Sequence, residues 1–148
     1  MALDTKDLKV LEILKENAKL TTSQISKKIN IPITTVHNRI RKLEKQGIIK
    51  KFTVELDYKK LDRGLPSYIL VTVSYTSSSG KKLVQEEIAK KIKNLDSVEE
   101  VAIVAGGTDL IVKVRVKDVD ELNNLITKKL RDLEGVETTQ TLVVLQEI

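Results

Sequence analysis

Apolar residues in the first third of the chain recur with the period of an α-helix. Leu8, Leu11 and Leu14 fall on one helical face. Asp4 precedes this run, and its short acceptor side chain is of the type that caps a helix N-terminus. The pattern predicts a first helix over residues 5–16 with its leucines turned inward.

Two more helices are predicted from the residues at their ends. Thr21 and Gln24 have the spacing of a capping box, which predicts a helix from about 22 to 29. A third helix is expected to follow Pro32 and to end before Gly47, because glycine readily adopts the left-handed conformation that terminates helices. The inward-facing residues of this third helix are predicted to be Val36, Ile40 and Leu43.

The rest of the chain changes from helical spacing to strict alternation and contains a repeat. Residues 94–104 and 132–142 resemble each other at an offset of 38. Each half of this part of the chain is predicted to be strand, helix, strand, and two such units in tandem form the split βαβ, ferredoxin-like topology. The predicted strands are 67–75, 98–105, 109–117 and 136–146, and the predicted helices are about 80–94 and 118–133.

One face of the predicted sheet is expected to pack on the two helices. The opposite face is not uniformly polar, because Tyr68 and Leu70 lie on it. An uncovered apolar sheet face favours association. We therefore expect a partner subunit to cover this face.

These patterns predict an α+β chain: a winged helix-turn-helix over residues 1–52, a linker with an extended segment over 53–66, and a ferredoxin-like βαββαβ domain over 67–148. The wing is expected from the extended stretch that follows the third helix. The charge is divided in the same way, with a net +7 in residues 1–63 and −2 in residues 64–148. A basic segment joined to a mildly acidic one is typical of a polyanion-binding head on a body with another role.

Composition excludes several kinds of chemistry. The chain has no cysteine and one histidine, His37, so neither a thiolate nor a multi-histidine metal site is expected. A nucleophile with its base and a phosphate-binding loop are not recognisable, so we expect neither catalysis nor a cofactor. No apolar run approaches the ~18 residues that span a bilayer. The expectation is a soluble, cytoplasmic protein without a membrane partner.

The outward side of the third helix carries the chemistry of nucleic-acid recognition. Hydroxyl and amide groups near the start of such a helix can meet base edges, whereas Arg and Lys further along reach phosphates. The alternative is a solvated basic face on a small helical bundle. The predicted DNA-binding residues are Thr34, Thr35, Asn38, Arg39, Arg41, Lys42, Lys45, Lys50 and Lys51.

Two residues of the third helix are not decided by the sequence. His37 neighbours the apolar stripe and could be a packed or rim residue or a base reader. Arg39 could contact a phosphate or pair with Glu44.

The stretch VAGGTDL, residues 104–110, joins two apolar strands. Gly106 and Gly107 suit a hairpin bend, because glycine tolerates the positive φ of tight turns. A bend does not explain Asp109, an acid that opens an apolar strand. The glycine amides could approach a carboxylate closely and Asp109 could hold an ammonium group, which together suit the zwitterionic end of a free amino acid.

The chain resembles a known family over nearly its whole length. The segment LDTKDLKVLEILKENAKLTTSQISKKINIPITTVHNRIRKLEKQGIIKKFTVELD resembles the opening of the leucine-responsive, or feast/famine (Lrp/AsnC), regulators of prokaryotes. VAIVAGGTDLIVKVRVKDVDELNNLITKKLRDLEGVETTQTLVVL resembles their effector-binding and oligomerisation domain. The resemblance implies a transcriptional regulator that binds double-stranded DNA as a homodimer, often assembled into octamers, with an amino acid as effector. Two recognition helices ~34 Å apart would favour palindromic sites.

The resemblance also implies site residues. It places Gly106 and Asp109 at the effector pocket. Pro32 stands where relatives usually have a capping serine, so Thr34 could cap the helix instead and lose its role as a base reader. The full set of predicted effector-binding residues is Gly106, Gly107, Thr108, Asp109, Thr138, Thr139, Gln140 and Thr141.

Two rival functions share some of these features. An architectural DNA-binding protein would have the same head and oligomer but no effector. An amino-acid-sensing regulatory subunit of an enzyme would share the ferredoxin-like half. Binding of an effector separates a regulator from the architectural alternative.

Overall fold

The computed structural model describes residues 2–148. The chain forms two compact units, which divide between residues 56 and 57. Each unit has a hydrophobic core of its own.

The first unit contains three helices: α1 (Thr5–Glu16), α2 (Thr22–Ile29) and α3 (Ile33–Lys45). The sequence predictions for α1 and α2 are confirmed. Both helices begin with a complete capping box, formed by Asp4 with Asp7 in α1 and by Thr21 with Gln24 in α2. These local bonds satisfy backbone N–H groups that have no partner within a helix, which explains why the sequence located both starts.

The core of the first unit confirms the predicted inward face of α3 and corrects that of α1. Val36 and Leu43 of α3 are fully buried, as predicted. In α1, however, Leu8 is 48% exposed. The buried face of α1 consists of Asp7, Val10 and Leu14. The prediction was wrong for Leu8 only, since Leu14 is buried and Leu11 packs against the core as predicted. Asp7 is also buried, and ion pairs to α3 compensate its charge.

The extended stretch that follows α3 forms no β-strand. Residues 48–56 take part in no β-ladder within the described chain. Phe52, Val54 and Leu56 alternate along this stretch, and all three are exposed. The first unit is therefore a helix-turn-helix followed by an unpaired segment.

The second unit is a four-stranded sheet with two helices. Its strands are β1 (Leu65–Val73), β2 (Val98–Ile103), β3 (Leu110–Val116) and β4 (Val136–Val143). The helices are α4 (Gln85–Lys93) and α5 (Val119–Asn124), which continues as a π-helix over Leu125–Leu130. A short 3-10 helix, Tyr58–Leu61, precedes β1. The strand order is β2-β3-β1-β4 with antiparallel neighbours, which confirms the ferredoxin-like topology.

All four strands end two or three residues, or in β3 one residue, before the predicted limit. Three further differences concern β1, α4 and the second helix. β1 begins at Leu65, within the predicted linker. Helix α4 begins at Gln85 rather than near 80, because Thr76 and Lys82 pair in an isolated antiparallel bridge before it. The second predicted helix contains a π-helical segment. Leu125 and Leu130 are both buried in it, and they lie five positions apart, a spacing that would place them on different faces of an α-helix. A π-turn brings such positions to one face.

Strand alternation places the core of the second unit on one side of the sheet. Ile69, Val71 and Val112 are fully buried in the cluster that includes α4 and α5. The other side, which we call the open face, keeps Tyr68 38% exposed and Leu142 47% exposed. These two residues are cross-strand partners in the register of β1 and β4, so the uncovered apolar face expected from the sequence is present.

Candidate nucleic-acid interface and effector site

The outward surface of α3 carries most of the predicted DNA-binding residues. Along the helix, hydroxyl and amide groups lie near its start and cations lie towards its end, with Lys50 and Lys51 beyond it. This is the order that the sequence predicted, with groups able to meet base edges before cations able to meet phosphates. Exposed members of the set are Thr34, Asn38, Arg41, Lys42, Lys45, Lys50 and Lys51, and Thr35 is half-buried.

The N-terminus of α3 differs from those of the other two helices. Pro32 is the N-cap, and no side chain caps the helix. Thr34 therefore does not replace the missing serine, and its exposed hydroxyl is not used as a cap. His37 is exposed, which excludes a packed histidine and leaves a rim residue or a base reader.

Arg39, predicted to bind DNA, forms ion pairs with two acidic residues at the start of α1. Its Nη1 donates to Asp4 at 2.7 and 2.6 Å and to Asp7 Oδ1 at 2.7 Å. The sequence left a phosphate contact or a pair with Glu44 as alternatives, whereas the ion-pair partners in the structure are Asp4 and Asp7. Asp4 and Asp7 lie more than thirty positions away in the chain, so helical spacing within α3 could not have identified them.

The charges of this cluster stabilise one another. Hydrogen bonding to Arg39, with the Asp7 backbone N–H, holds the pKa of Asp4 below its ordinary value. Burial pushes the pKa of Asp7 upward, but hydrogen bonds from Arg39, the Asp4 backbone and Lys42 outweigh it and lower the pKa. The hydrogen bonds to Asp4 and Asp7 raise the pKa of Arg39.

A shallow groove lies beside this cluster. Lys42 Nζ reaches Asp7 Oδ2 at 3.3 Å, yet its side chain remains 43% exposed. The lining residues of the groove are Asp4, Thr35, Asn38, Arg39 and Lys42. Asp4 was missed by the sequence analysis, which assigned it only a capping role.

The hairpin between β2 and β3 has the geometry of a glycine bend. Gly106 has a φ of +138°, a conformation that side chains rarely adopt, whereas Gly107 has no such requirement. Both are exposed, and a Cβ added at either would meet no atom within 4 Å. The bend is open to solvent in the described chain.

Asp109 has a structural role that the sequence did not reveal. Its Oδ2 accepts the backbone N–H of Val73 at 2.8 Å, and its Oδ1 accepts the Tyr75 hydroxyl at 3.2 Å. The register of β1 and β4 shifts between Thr72 and Val73, and the carboxylate provides a partner for the amide at this irregularity. The nearby charge of Asp109 raises the pKa of Tyr75.

The remaining predicted effector residues do not form one surface. Thr108 is half-buried and its hydroxyl donates to the Val71 carbonyl at 2.9 Å. In β4, Thr139 and Thr141 pair with Val71 and Ile69 on the helix side of the sheet. Thr138 and Gln140 pair with Thr72 and Leu70 on the open face. Strand alternation therefore separates the four β4 residues into two pairs.

A second ion cluster, centred on the buried Arg115, lies at the other end of β3. Arg115 is 6% exposed; its Nε donates to Glu99 at 2.8 Å, and its two terminal nitrogens donate to Glu147 at 3.0 and 2.7 Å. The guanidinium also lies 4.2 Å from the ring centroid of Tyr58. Hydrogen bonding between Arg115 and Glu147 raises the pKa of the first and lowers that of the second. These contacts attach the 3-10 helix and residue 147 to the sheet.

Residues 2–148 show neither a metal-binding cluster nor a helix able to span a membrane. They contain no group of three or more histidine or acidic side chains that could hold a metal ion. None of their helices combines the length and the apolar character that crossing a membrane requires.

The fold and the exposed face of α3 define a class of protein: a DNA-binding regulator with a helix-turn-helix unit and a separate α+β unit. Two family profiles agree with this class. The winged helix-turn-helix DNA-binding profile matches residues 3–50, and the Lrp/AsnC ligand binding domain profile matches residues 69–148. The chain belongs to the Lrp/AsnC family of transcriptional regulators.

Similar proteins carry names that agree with this assignment. An uncharacterised HTH-type transcriptional regulator of Pyrococcus horikoshii is 44% identical over 141 residues, covering 95% of this chain and 91% of that protein. The leucine-responsive regulatory protein of Haemophilus influenzae is 37% identical over 147 residues, covering 99% and 86%.

Solved structures share the fold over the full chain. LrpC of B. subtilis has a TM-score of 0.85 at 29% identity and covers 100% of this chain and 98% of its own. A transcriptional regulator of Neisseria meningitidis, solved as an L-Met complex, has a TM-score of 0.90 at 24% identity and covers 99% and 92%. The second comparison shows the fold alone.

Proposed function

We propose that this regulator recognises a specific DNA sequence through α3, associates through the open face of its sheet, and binds an amino acid beside the β2–β3 hairpin. The observation that carries the DNA-binding part is the exposed polar and basic surface of α3. The chain performs no catalysis in this proposal, and its output is the occupancy of a DNA site.

Different residues of α3 have different roles in this proposal. Asn38 reads a base edge, because its exposed amide both donates and accepts hydrogen bonds. Arg41 and Lys45 contact phosphates further along the helix. Two such helices in a homodimer favour a palindromic site with half-sites ~34 Å apart.

We expect Arg41→Ala to weaken binding to every duplex and to reduce the slope of log K against log salt by about 0.9, because one phosphate contact is lost. Asn38→Ala is expected to leave the slope unchanged and to reduce sequence preference about tenfold, since a good bidentate base contact contributes roughly 1–3 kcal/mol. Fluorescence anisotropy with a duplex selected from a random library, and with an unselected duplex of equal length, measures both.

Lys15→Ala is the matched control for loss of charge, because Lys15 is exposed on α1 rather than α3. It is expected to leave the slope unchanged. Loss of non-specific binding alone in both α3 variants would contradict these assignments.

Self-association rests on the composition of the open face. Tyr68 and Leu142 are partly exposed cross-strand partners, and Leu70 is half-buried beside them. Covering this face with the same face of a second copy buries apolar surface on both chains, as an isologous interface requires. Octamers would need further contacts between such dimers.

Leu142→Lys is expected to shift the protein towards monomer by at least tenfold in dissociation constant, because the lysine places a charge within the proposed interface. Sedimentation velocity at micromolar concentrations measures the shift. Val119→Lys is the control, since Val119 is 65% exposed at the start of α5. If both variants had the same dissociation constant, or if the unsubstituted protein were a monomer, the open face would not be the interface.

The effector part rests on the family domain and on the hairpin. The carboxylate of Asp109 accepts two hydrogen bonds within the chain and has lone pairs left for an ammonium group. The backbone N–H groups of Gly106 and Gly107 donate no hydrogen bond within the described residues, so they can face a ligand carboxylate. The Neisseria regulator with the same fold was solved with L-Met, which supports an amino acid as the ligand.

Asp109→Asn tests this site without removing the acceptor for the Val73 amide, because asparagine keeps a carbonyl oxygen in the same position. We expect binding of the effector to weaken about 10- to 100-fold, as the loss of a charge-assisted hydrogen bond implies. Isothermal titration calorimetry of each common amino acid, first on the unsubstituted protein, measures the affinity.

An architectural DNA-binding protein without an effector is the second candidate. It is favoured by the internal bonds of Asp109 and Thr108, which give both residues a structural reason to be present. Absence of heat with every amino acid, together with retained DNA binding, would establish this alternative.

A further inference from the structure

We propose that Arg39 is a positioning residue: it fixes α3 against the start of α1 through Asp4 and Asp7, and it makes no phosphate contact. The inference rests on the proposed recognition of DNA by α3. Arg39 is then not one of the residues that contact DNA, although it lies within the recognition helix.

The contacts of Arg39 are directed towards α1. A single nitrogen, Nη1, meets both carboxylates at 2.6 to 2.7 Å. Nε is buried and has no hydrogen-bond partner within the described residues. The side chain is only 20% exposed. Nη1 is therefore held by α1 and Nε is enclosed, which leaves Nη2 as the one guanidinium nitrogen that could face a DNA backbone.

Asp7 explains why Arg39 stays in place. Its side chain is fully buried, and its other partner from α3, Lys42, lies at 3.3 Å. Moving Arg39 to a phosphate would leave a buried carboxylate with this longer ion pair and its backbone contact. Loss of the partner of a buried charge is strongly unfavourable. The balance therefore favours Arg39 remaining with α1 when DNA binds.

The cluster also fixes which side of α3 faces outward. Arg39 and Lys42 lie three positions apart on the side of α3 that meets Asp7. Asn38 and Arg41 immediately precede them and are exposed. Two cations held by one buried carboxylate resist rotation of α3 about its axis, and this orientation is needed for Asn38 to meet a base edge.

Asp4→Asn provides the test, because asparagine is an equally good N-cap residue and the charge of Arg39 is retained. If Arg39 positions α3, affinity for a selected duplex relative to an unselected one falls by only about two- to threefold, because Asp7 still holds Arg39, and the salt slope is unchanged. If Arg39 is a phosphate ligand restrained by Asp4, the same variant binds both duplexes more tightly with a steeper slope. The second result overturns the proposal.

Arg39→Met and Arg39→Lys complete the experiment, with Arg41→Ala as the reference for a lost phosphate contact. Circular dichroism first establishes a temperature at which each variant is fully folded. Arg39→Met is expected to lower the ratio of selected to unselected binding without changing the slope, and Arg39→Lys to restore part of the ratio. A slope reduced by about 0.9 in Arg39→Met, or an unchanged ratio in all three variants, would contradict positioning. Absence of sequence preference in the unsubstituted protein would instead contradict the proposed function.

Discussion

Gly135→Ala is expected to destabilise the second unit by about 3 kcal/mol, the sum of backbone strain and overpacking. Gly135 precedes β4 with a φ of +97°. A Cβ at this position would lie 2.5 Å from Ile88 Cδ1 and 3.1 Å from Leu83 Cδ1. Ile88 is nearly fully buried, so it has little room to move. Urea unfolding followed by tyrosine fluorescence measures the loss, since all three tyrosines lie after residue 57.

Two other glycines separate the causes. Gly106 has a φ of +138° but open space around its Cβ position, so Gly106→Ala is expected to cost about 1–2 kcal/mol from strain alone. Gly107 has open space and no positive φ, and Gly107→Ala is expected to change the free energy of unfolding by less than about 0.5 kcal/mol. Equal losses for Gly135→Ala and Gly106→Ala would show that the contact with Ile88 is not a constraint in solution.

Leu43→Ala is expected to destabilise the first unit by about 3 kcal/mol, because the side chain of Leu43 is fully buried and its removal leaves a cavity. A unit that ends at residue 56 buries a small fraction of its surface and has little stability in reserve. We expect partial loss of the helical signal at 222 nm and a corresponding loss of DNA binding, with the tyrosine-detected transition of the second unit unchanged.

Leu130→Ala is the counterpart in the second unit, where Leu130 is also fully buried. It is expected to move the tyrosine-detected transition to lower urea by a similar free energy while the first unit keeps its helical signal. A single shared transition in both variants would show that the two cores unfold as one.

The helices of the first unit were predictable because their limits are set locally. The capping boxes of α1 and α2 each involve residues three positions apart, and such bonds form in the same way in almost any context. Alternation and the internal repeat predicted the four strands for a similar reason, since the period of the side chains is fixed by the backbone. The turn before α4 and the π-helix were missed because they depend on packing rather than on period.

The candidate sites were predictable as residue types and not as contacts. The sequence identified Arg39 and Asp109 as functional charges, but each has its main partners more than thirty positions away. The open face followed from the polarity of single strands, whereas the separation of Thr138 and Thr139 onto opposite sides followed from the register between β1 and β4.

The sequence by itself determined the two-part organisation, the position of the recognition helix, the family and the bend at Gly106, because all of these depend on local spacing, composition or motif. Only the tertiary structure decided that Asp7 is buried beneath Arg39 and that Asp109 closes the irregularity at Val73. The physical reason is that a charge is tolerated inside a protein only where distant segments supply its partners, and the chain brings those segments together only when it folds.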